Sequence, residues 1–241
     1  MPCRRHFNLS ERELMDDPAV DTSALAAGLE NLTTINHYFG GHVVCDLILE
    51  HIASGTREPA LKNRELMWLD CATGAGDLPV YFSAKTGPSA RFVLLDLHAG
   101  TLQISKQRAP TTGFHGSWLQ GNMLKLPFGD GSFDIVTCQL ALHHFSEPDA
   151  IRILQELRRV SRHWVFVSDL TRSPLARVVV WFLVQFWLRD PMTRYDARLS
   201  IRHAYTPAEF QSLAREAGWE KFHHKALPLW FRQLLWLDKT P

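Results

Sequence analysis

One stretch of the chain, residues 66–77, constrains the fold more than any other. An apolar run from Leu66 to Leu69 ends in an acid, Asp70. Small residues follow through Gly76, and a helix-like segment begins at Asp77. This order predicts a buried strand, a tight turn and the first turn of a helix. Because glycine has no Cβ atom and the first N–H groups of a helix are unpaired, a ligand can approach the backbone there. The stretch is typical of a site for a nucleotide-type cofactor.

The residues after this stretch alternate between short apolar runs and amphipathic segments. Five apolar runs predict strands, at 66–70, 92–96, 118–120, 133–139 and 164–169. Strands that alternate with helices at this spacing form a parallel sheet that is covered on both faces. Two final runs, 220–227 and 230–237, predict a hairpin at one edge. The sequence therefore predicts an α/β fold: a Rossmann-like, doubly wound, seven-stranded sheet, mostly parallel, with a C-terminal antiparallel hairpin.

The segments around this core differ in character. Apolar residues recur every three or four positions in 23–39 and 42–53, which predicts two helices that form an N-terminal cap. Residues 1–20 are polar and predict irregular structure. We expect a single domain whose parts are a helical cap (1–60), a cofactor-binding core (64–170), a substrate-side helix and insert (171–205), and a final helix and strands (206–241).

One apolar run, 178–188, raises the question of a membrane. It lies between Arg177 and Arg189 and is well short of the roughly 20 apolar residues that a membrane-spanning helix needs. We expect a buried or pocket-lining helix, and contact with a membrane surface is the alternative. The stretch 190–205 is rich in arginine, tyrosine and histidine, and it predicts an insert.

Composition narrows the class of protein. A formal net charge of +1 over 241 residues argues against a nucleic-acid partner. The four cysteines, Cys3, Cys45, Cys71 and Cys138, show neither a Cys-x-x-Cys pair nor the spacing of a metal site. We expect these cysteines to be reduced thiols, which indicates a cytoplasmic protein. The first residues are not followed by the apolar segment of a secretory signal.

Polar side chains follow the predicted strands. Ligands of a doubly wound sheet bind at the carboxyl ends of the strands, near the switch in strand order. Asp96 ends the second strand, 20 residues after Gly76 (96 − 76), where a carboxylate can accept hydrogen bonds from ribose hydroxyls. Asn122 and Met123 follow the third strand and offer an amide and a thioether to an adenine. Gln139 ends the fourth strand.

Position 79 separates two classes of cofactor. The dinucleotide fingerprint Gly-x-Gly-x-x-Gly needs a third glycine there, and the residue is Pro79. A pyrophosphate requires close approach to the backbone, whereas a sulfonium nucleoside carries no phosphate. The sequence therefore favours S-adenosylmethionine (SAM) over a dinucleotide. A turn without any ligand is the remaining alternative.

Several motifs resemble those of one superfamily. Residues 69–77 resemble motif I of the class I SAM-dependent methyltransferases, Asp-x-Gly-x-Gly-x-Gly, with Ala72 in place of the first glycine. This departure is similar to the ubiquinone/menaquinone biosynthesis C-methyltransferases. Residues 94–97 resemble motif II, and residues 121–136 resemble the next conserved run. The resemblance implies SAM as cofactor, S-adenosylhomocysteine as product, no metal, and a cofactor site formed by Asp70, Ala72, Gly74, Gly76, Asp96, Leu97, Asn122, Met123 and Gln139.

The resemblance also implies the reaction, which is methyl transfer to O or C of a small apolar or aromatic acceptor. A quinone, a phenol or a polyketide-like molecule fits the apolar run. Methylation of RNA or protein is one alternative, although the chain lacks an Asn/Asp-Pro-Pro-Tyr-type motif and a basic stripe. A SAM-binding module without catalysis is another.

Residues for the acceptor are harder to assign. His143 and His144 follow the fourth strand, and histidine titrates near neutral pH, so either is a candidate for a general base. A packed or capping histidine is the alternative. By analogy with the quinone methyltransferases, the cap and the insert form the acceptor pocket. Its candidate residues are Asn36, His42, Tyr195, Arg198 and His203.

Overall fold

One seven-stranded sheet organises the protein. The computed structural model describes residues 5, 7–8, 10–55, 65–86, 89–186 and 190–239. The strands lie in the order β3-β2-β1-β4-β5-β7-β6. The first five strands are parallel, and β7 runs antiparallel to both β5 and β6. Their bounds are β1 (Leu66–Cys71), β2 (Ala90–Asp96), β3 (Gly116–Gln120), β4 (Phe133–Gln139), β5 (Ser161–Leu170), β6 (Phe222–Leu227) and β7 (Arg232–Asp238).

Eight α-helices in the described residues accompany the sheet. Serine, threonine or aspartate caps several of them, and proline occupies one of the first two positions of four, as helix starts favour. The helices are α1 (Thr22–Tyr38), α2 (Gly41–Gly55), α3 (Asp77–Thr86), α4 (Ala99–Arg108), α5 (Glu147–Val160), α6 (Pro174–Phe186), α7 (Pro191–His203) and α8 (Pro207–Glu216).

The core has one layer on each face of the sheet. Trp68 and Leu69 are adjacent on β1 and point to opposite faces, as the period of a strand requires. Trp68 packs with residues of α2 and α3, and Leu69 packs with residues of α5 and α8. Every residue of the central strand β4 is buried. The predicted fold class is therefore confirmed, including the parallel strands and the C-terminal hairpin.

Two flanking segments contain local structure that the sequence analysis did not predict. The predicted insert at 190–205 is mostly the regular helix α7, which Asp190 caps by accepting a hydrogen bond from the Thr193 N–H at 2.7 Å. The N-terminal segment, predicted to be irregular, forms a 3-10 turn at Leu14–Asp16. Asp196 of α7 holds this turn by accepting a hydrogen bond from the Leu14 N–H at 2.7 Å. The cap of α7 is local in the sequence, whereas the hydrogen bond between Leu14 and Asp196 is a tertiary contact that local patterns do not reveal.

The apolar run at 178–188 lies mainly in α6, with residues 187–188 outside the described part of the chain. Among the described residues, no helix combines the length and the apolar character needed to cross a membrane. One side of α6 faces the protein interior at Ala176 and Val184, whereas Trp181, Phe182 and Phe186 are exposed. The run is therefore a half-buried helix.

We expect Gly76→Ala to destabilise the fold more than Gly74→Ala. Both glycines have a positive φ, +74° and +55°, which costs an alanine about 1–2 kcal/mol. A Cβ atom at Gly76 would also lie 2.3 Å from Ser105 Oγ, whereas one at Gly74 would meet no atom within 4 Å. Ser105 cannot move freely because its hydroxyl accepts a hydrogen bond from Trp118 Nε1.

Urea unfolding of the two variants and the parent measures this difference. Gly74→Ala is the matched control for the backbone term alone. An equal loss in both variants would show that contact with α4 does not constrain the turn.

Candidate functional site

A cavity of about 750 Å³ opens at the carboxyl ends of β1, β2 and β4. It lies where β1 is flanked by β2 on one side and β4 on the other, which is the switch point of the strand order. The turn after β1 forms one end. Side chains from α1, α6, α7 and the N-terminal segment form the other walls. Its volume is in the range of small-molecule sites.

The turn after β1 has the backbone conformation that small residues permit. Ala72, Gly74 and Gly76 have φ values of 54°, 55° and 74°. The Gly74 N–H donates a hydrogen bond to Asp96 Oδ2, and the other oxygen of that carboxylate accepts one from the His98 N–H, both at 3.0 Å. Asp96 therefore ties the end of β2 to the turn after β1.

Three carboxylates lie around this turn. Burial raises the pKa of Asp70 to about 7, although Thr137 donates a hydrogen bond to it at 2.6 Å. Burial also raises the pKa of Asp77 and that of Asp96. Since the ionised carboxylates repel one another, this end of the cavity favours a cation. It disfavours the pyrophosphate of a dinucleotide.

The other predicted cofactor residues complete this end of the cavity. Gln139 is buried, and its Oε1 atom has no hydrogen-bond partner among the described residues, so it can accept from a ligand. Met123 is also buried and lies against Cys138. Asn122 Oδ1 accepts a hydrogen bond from the Leu124 N–H, which leaves its amide nitrogen as the donor for a base.

Of the nine predicted cofactor residues, only Gly76 does not line the cavity. It packs against α4 instead. Asp77 and Ala75 lie on the cavity wall and were not in the prediction. The contacts of the predicted residues with a cofactor stay a prediction.

Comparison with known proteins identifies the family. Residues 69–163 match the family model described as a methyltransferase domain. The chain is 36% identical over 175 residues to the ubiquinone/menaquinone biosynthesis C-methyltransferase UbiE of Xanthomonas oryzae, a match that covers 66% of this chain and 68% of that protein. The chain belongs to the UbiE-type family of class I SAM-dependent methyltransferases.

Other relatives agree over smaller parts or at lower identity. The Hahella chejuensis UbiE protein is 38% identical over 96 residues, so the match spans only 38% of that relative and 39% of this chain. The magnesium protoporphyrin IX methyltransferase of Synechocystis, solved with bound S-adenosylhomocysteine, superposes with a TM-score of 0.59. It is 16% identical and the match covers 86% of each chain, which shows a common fold.

SAM is the cofactor of this family, and the site fits it. The sulfonium and ammonium groups of SAM are cations that the carboxylates of Asp70, Asp77 and Asp96 attract. The open space above Gly74 admits a ligand to the backbone. Gln139 Oε1 offers an acceptor for an ammonium group. These features favour a sulfonium nucleoside for a physical reason that is independent of the motif.

The two predicted catalytic histidines lie at the other end of the cavity. His143 Nδ1 is 2.6 Å from Asp169 Oδ1, and His144 Nδ1 is 2.8 Å from Asp16 Oδ2. Burial alone would lower the pKa of His143, but Asp169 and Glu13 raise it to about 10. The ring is therefore protonated at neutral pH, in contrast to the premise of the sequence prediction. A role as general base for either histidine stays a prediction.

Sequence reasoning missed Glu13 and Asp16. Glu13 is buried and accepts a hydrogen bond from the Ser200 hydroxyl. Its carboxylate lies beside both histidines. The segment has no periodic pattern, and its partners are far away in the chain, so only the presence of acids next to Leu14 and Met15 marked it.

The predicted acceptor residues divide into two groups. Asn36 and His203 line the cavity. His42, Tyr195 and Arg198 do not: His42 stacks on Tyr81 at 4.1 Å, and Arg198 donates to Gln185. Tyr195 and Arg198 lie on the outer face of α7, because the helical period turns Ala197, Ser200, Ile201 and His203 inward.

Arg232 is a further cavity residue that the sequence did not indicate. It is buried and donates to Phe39 O and Asn36 Oδ1. Its Nη1 atom has no hydrogen-bond partner among the described residues. A guanidinium in this position can pair with a carboxylate or an oxyanion of a ligand.

We expect SAM affinity to rise with pH in a way that depends on Asp70. Its pKa of about 7 leaves it mostly protonated at pH 6 and ionised at pH 8. Since a cation prefers the ionised form, the dissociation constant should fall by up to about tenfold per pH unit below pH 7 and level off above it.

Calorimetric titration with SAM from pH 6 to pH 8 measures this dependence. Asp70→Asn is the control, because its side-chain oxygen can still accept from Thr137 but does not ionise. Because the ligand itself titrates alike in both experiments, the difference between the two proteins cancels its contribution. Identical pH profiles in both proteins would contradict the assignment.

Proposed function

We propose that this protein transfers the methyl group of SAM to C or O of a small, apolar, quinone-like acceptor. One observation supports this most strongly: a single cavity joins the carboxylate-rich turn to apolar walls from α1 and α6. A cofactor at the turn and an acceptor against these walls would share one cavity. The reaction needs that juxtaposition.

The lining of the acceptor end supports an apolar, ring-shaped molecule. Leu29, Ile35, Val184 and Ile201 form apolar parts of its walls, and the polar groups beside them include the histidine cluster, Asn36, His203 and Arg232. An acceptor with a hydrophobic body and one or two oxygens fits this distribution. A curated relative in Trichormus variabilis is described as 2-phytyl-1,4-naphtoquinone methyltransferase, which is consistent with such an acceptor.

Methyl transfer from SAM depends on the orientation of the acceptor more than on reactive side chains of the protein. SAM supplies an electrophilic methyl group that a carbon or oxygen nucleophile displaces in line. The apolar walls exclude water and hold the acceptor ring, and this positioning lowers the barrier. The buried polar groups at the histidine end are suited to bind an acceptor hydroxyl and to hold its proton.

Incubation of the protein with SAM and a panel of reduced quinones and phenols tests the proposal. We expect S-adenosylhomocysteine together with an extractable product that is heavier by one methyl group. Nuclear magnetic resonance of the product distinguishes C- from O-methylation. Labelled methyl groups in bulk RNA or protein, with none in the organic extract, would favour the alternative substrates and contradict a small acceptor.

A bulky side chain at the acceptor end of the cavity should weaken the reaction with the acceptor without changing SAM binding. Ala197 lies on the cavity wall. We expect Ala197→Trp to lower kcat/KM for the acceptor by about tenfold or more, since overpacking costs about 1–3 kcal/mol, while SAM affinity stays unchanged. Tyr195→Ala, on the outer face of the same helix, is the control. Equal acceptor kinetics in Ala197→Trp and the parent would place the acceptor elsewhere.

We also propose that α6 contacts an anionic membrane surface that holds the acceptor. Leu175, Trp181, Phe182 and Phe186 are exposed, and the opposite side of the helix lines the cavity. Arg194 and Arg198 of α7 lie beside this face, because both donate to Gln185 of α6. Exposed aromatic residues next to basic residues are typical of interfacial helices.

Cosedimentation with vesicles that contain anionic lipid measures this contact. We expect the double variant Trp181→Ser, Phe186→Ser to reduce binding by about tenfold, and salt to weaken binding of the parent. Leu229→Ser, which changes another exposed apolar residue, is the control. Undiminished binding of the double variant would contradict the proposal.

We also propose that the protein is cytoplasmic. Cys45, Cys71 and Cys138 are free and buried, whereas Cys3 lies outside the described residues. Burial raises the pKa of Cys45, Cys71 and Cys138, so these thiols are poorly reactive. Buried, reduced cysteines are consistent with a reducing compartment.

A further inference from the structure

Five titratable side chains form a cluster at the acceptor end of the cavity: Glu13, Asp16, His143, His144 and Asp169. Asp169 holds Nδ1 of His143 at 2.6 Å, and Asp16 holds Nδ1 of His144 at 2.8 Å. In each histidine this carboxylate contacts Nδ1, so Nε2 is the ring nitrogen that remains for another partner. The two Nε2 atoms lie 3.5 Å and 3.9 Å from the carboxylate oxygens of Glu13.

The distances from Glu13 to the two Nε2 atoms are close to those between ligands of one metal ion. An N–H···O hydrogen bond is commonly about 2.7–3.2 Å long, so the separations of Glu13 from both rings are longer than those of a well-formed bond. Two ligands at about 2.1 Å from a tetrahedral metal ion lie about 3.4 Å from each other. The three ligand atoms lie within 4.8 Å of one another, so modest side-chain rotations would bring them around one ion.

The carboxylates that contact Nδ1 of the two histidines also resemble those found around metal sites. Histidines that bind metals usually donate the other ring N–H to a carboxylate, which fixes the tautomer and the ring orientation. His143 and His144 both show this arrangement, with separate carboxylates. Glu13 is oriented in turn by the Ser200 hydroxyl. We propose that Glu13, His143 and His144 bind a divalent transition-metal ion.

Charge and burial support the proposal. A bound ion would take the place of a proton on each imidazole, and Glu13, Asp16 and Asp169 would then place three negative charges around the cluster. Glu13 is 8% exposed and Asp169 is 0% exposed, so water compensates little of that charge. Two imidazoles and one carboxylate suit zinc and its neighbours in the first transition row. Three protein ligands leave a coordination position open to the cavity that all three line.

The open position would act on the acceptor. Methyl transfer from SAM requires no metal, so the ion has no part in supplying the methyl group. A bound ion stabilises the ionised form of a coordinated hydroxyl and orients its ring. This role rests on the proposed function, whereas metal binding itself does not. The expectation of no metal came from the resemblance to the methyltransferases, and Glu13 lies in a segment that shows no pattern.

Equilibrium dialysis of chelator-treated protein against Zn²⁺, followed by elemental analysis, tests the site. We expect one ion per chain, and Co²⁺ in its place should give the visible absorption of a low-symmetry coordination site. Glu13→Gln and His144→Ala should each weaken binding by about 100-fold or more, and Asp16→Asn by about 10–100-fold. His223→Ala, at an exposed histidine, should not change it.

Several outcomes would overturn the proposal. Zn²⁺ binding that Glu13→Gln and Asp16→Asn leave unchanged would locate the ion elsewhere. No stoichiometric binding, together with loss of activity in Glu13→Gln, would show that the cluster moves protons instead. SAM binding and circular dichroism of each variant verify the fold. Because SAM affinity is measured separately, loss of the metal is distinguishable from failure of the proposed methyl transfer.

Discussion

Parallel pairing of β1 with both β2 and β4 is the constraint on which the rest of the structure depends. It brings the carboxyl ends of three strands to one edge of the sheet, and the turns that follow them must diverge to opposite faces. The space between those turns becomes the cavity. Asp70, Asp96 and Gln139 meet there only because their strands end side by side.

The polar groups at this edge are stabilised by neighbours from other elements. Thr137 of β4 donates to Asp70 of β1, and the backbone of the turn after β1 donates to Asp96 of β2. Each strand end therefore depends on the next for the hydrogen bonds that burial makes necessary. Burial raises the pKa of Asp70 at the cofactor end, whereas at the histidine end the opposite charge of Asp169 outweighs burial and raises the pKa of His143.

The walls of the acceptor end come from segments that are remote in sequence. Asp196 of α7 fixes the turn at Leu14–Asp16, which places Glu13 and Asp16 beside the histidines that follow β4. Asn36 connects Asp77 to Arg232, so α1, α3 and β7 meet at one side chain. The lining of this end of the cavity therefore depends on segments from distant parts of the chain, whereas the other end is formed by the turn after β1 and the neighbouring strand ends.

The sheet, the order of strands and helices along the chain, and most of the residues at the β1 end of the cavity were predictable from the sequence, although Ala75 and Asp77 were missed and Gly76 does not line the cavity. These follow from apolar periodicity, from small residues at the turn and from polar residues at strand ends, all of which act within a few residues of each other. Which side chains line the acceptor end was visible only in the tertiary structure. Whether Tyr195 or Ile201 faces the cavity depends on the rotation of α7, and the role of Glu13 depends on partners more than a hundred residues away. Local patterns carry no information about such packing, because its energy comes from contacts that exist only in the folded chain.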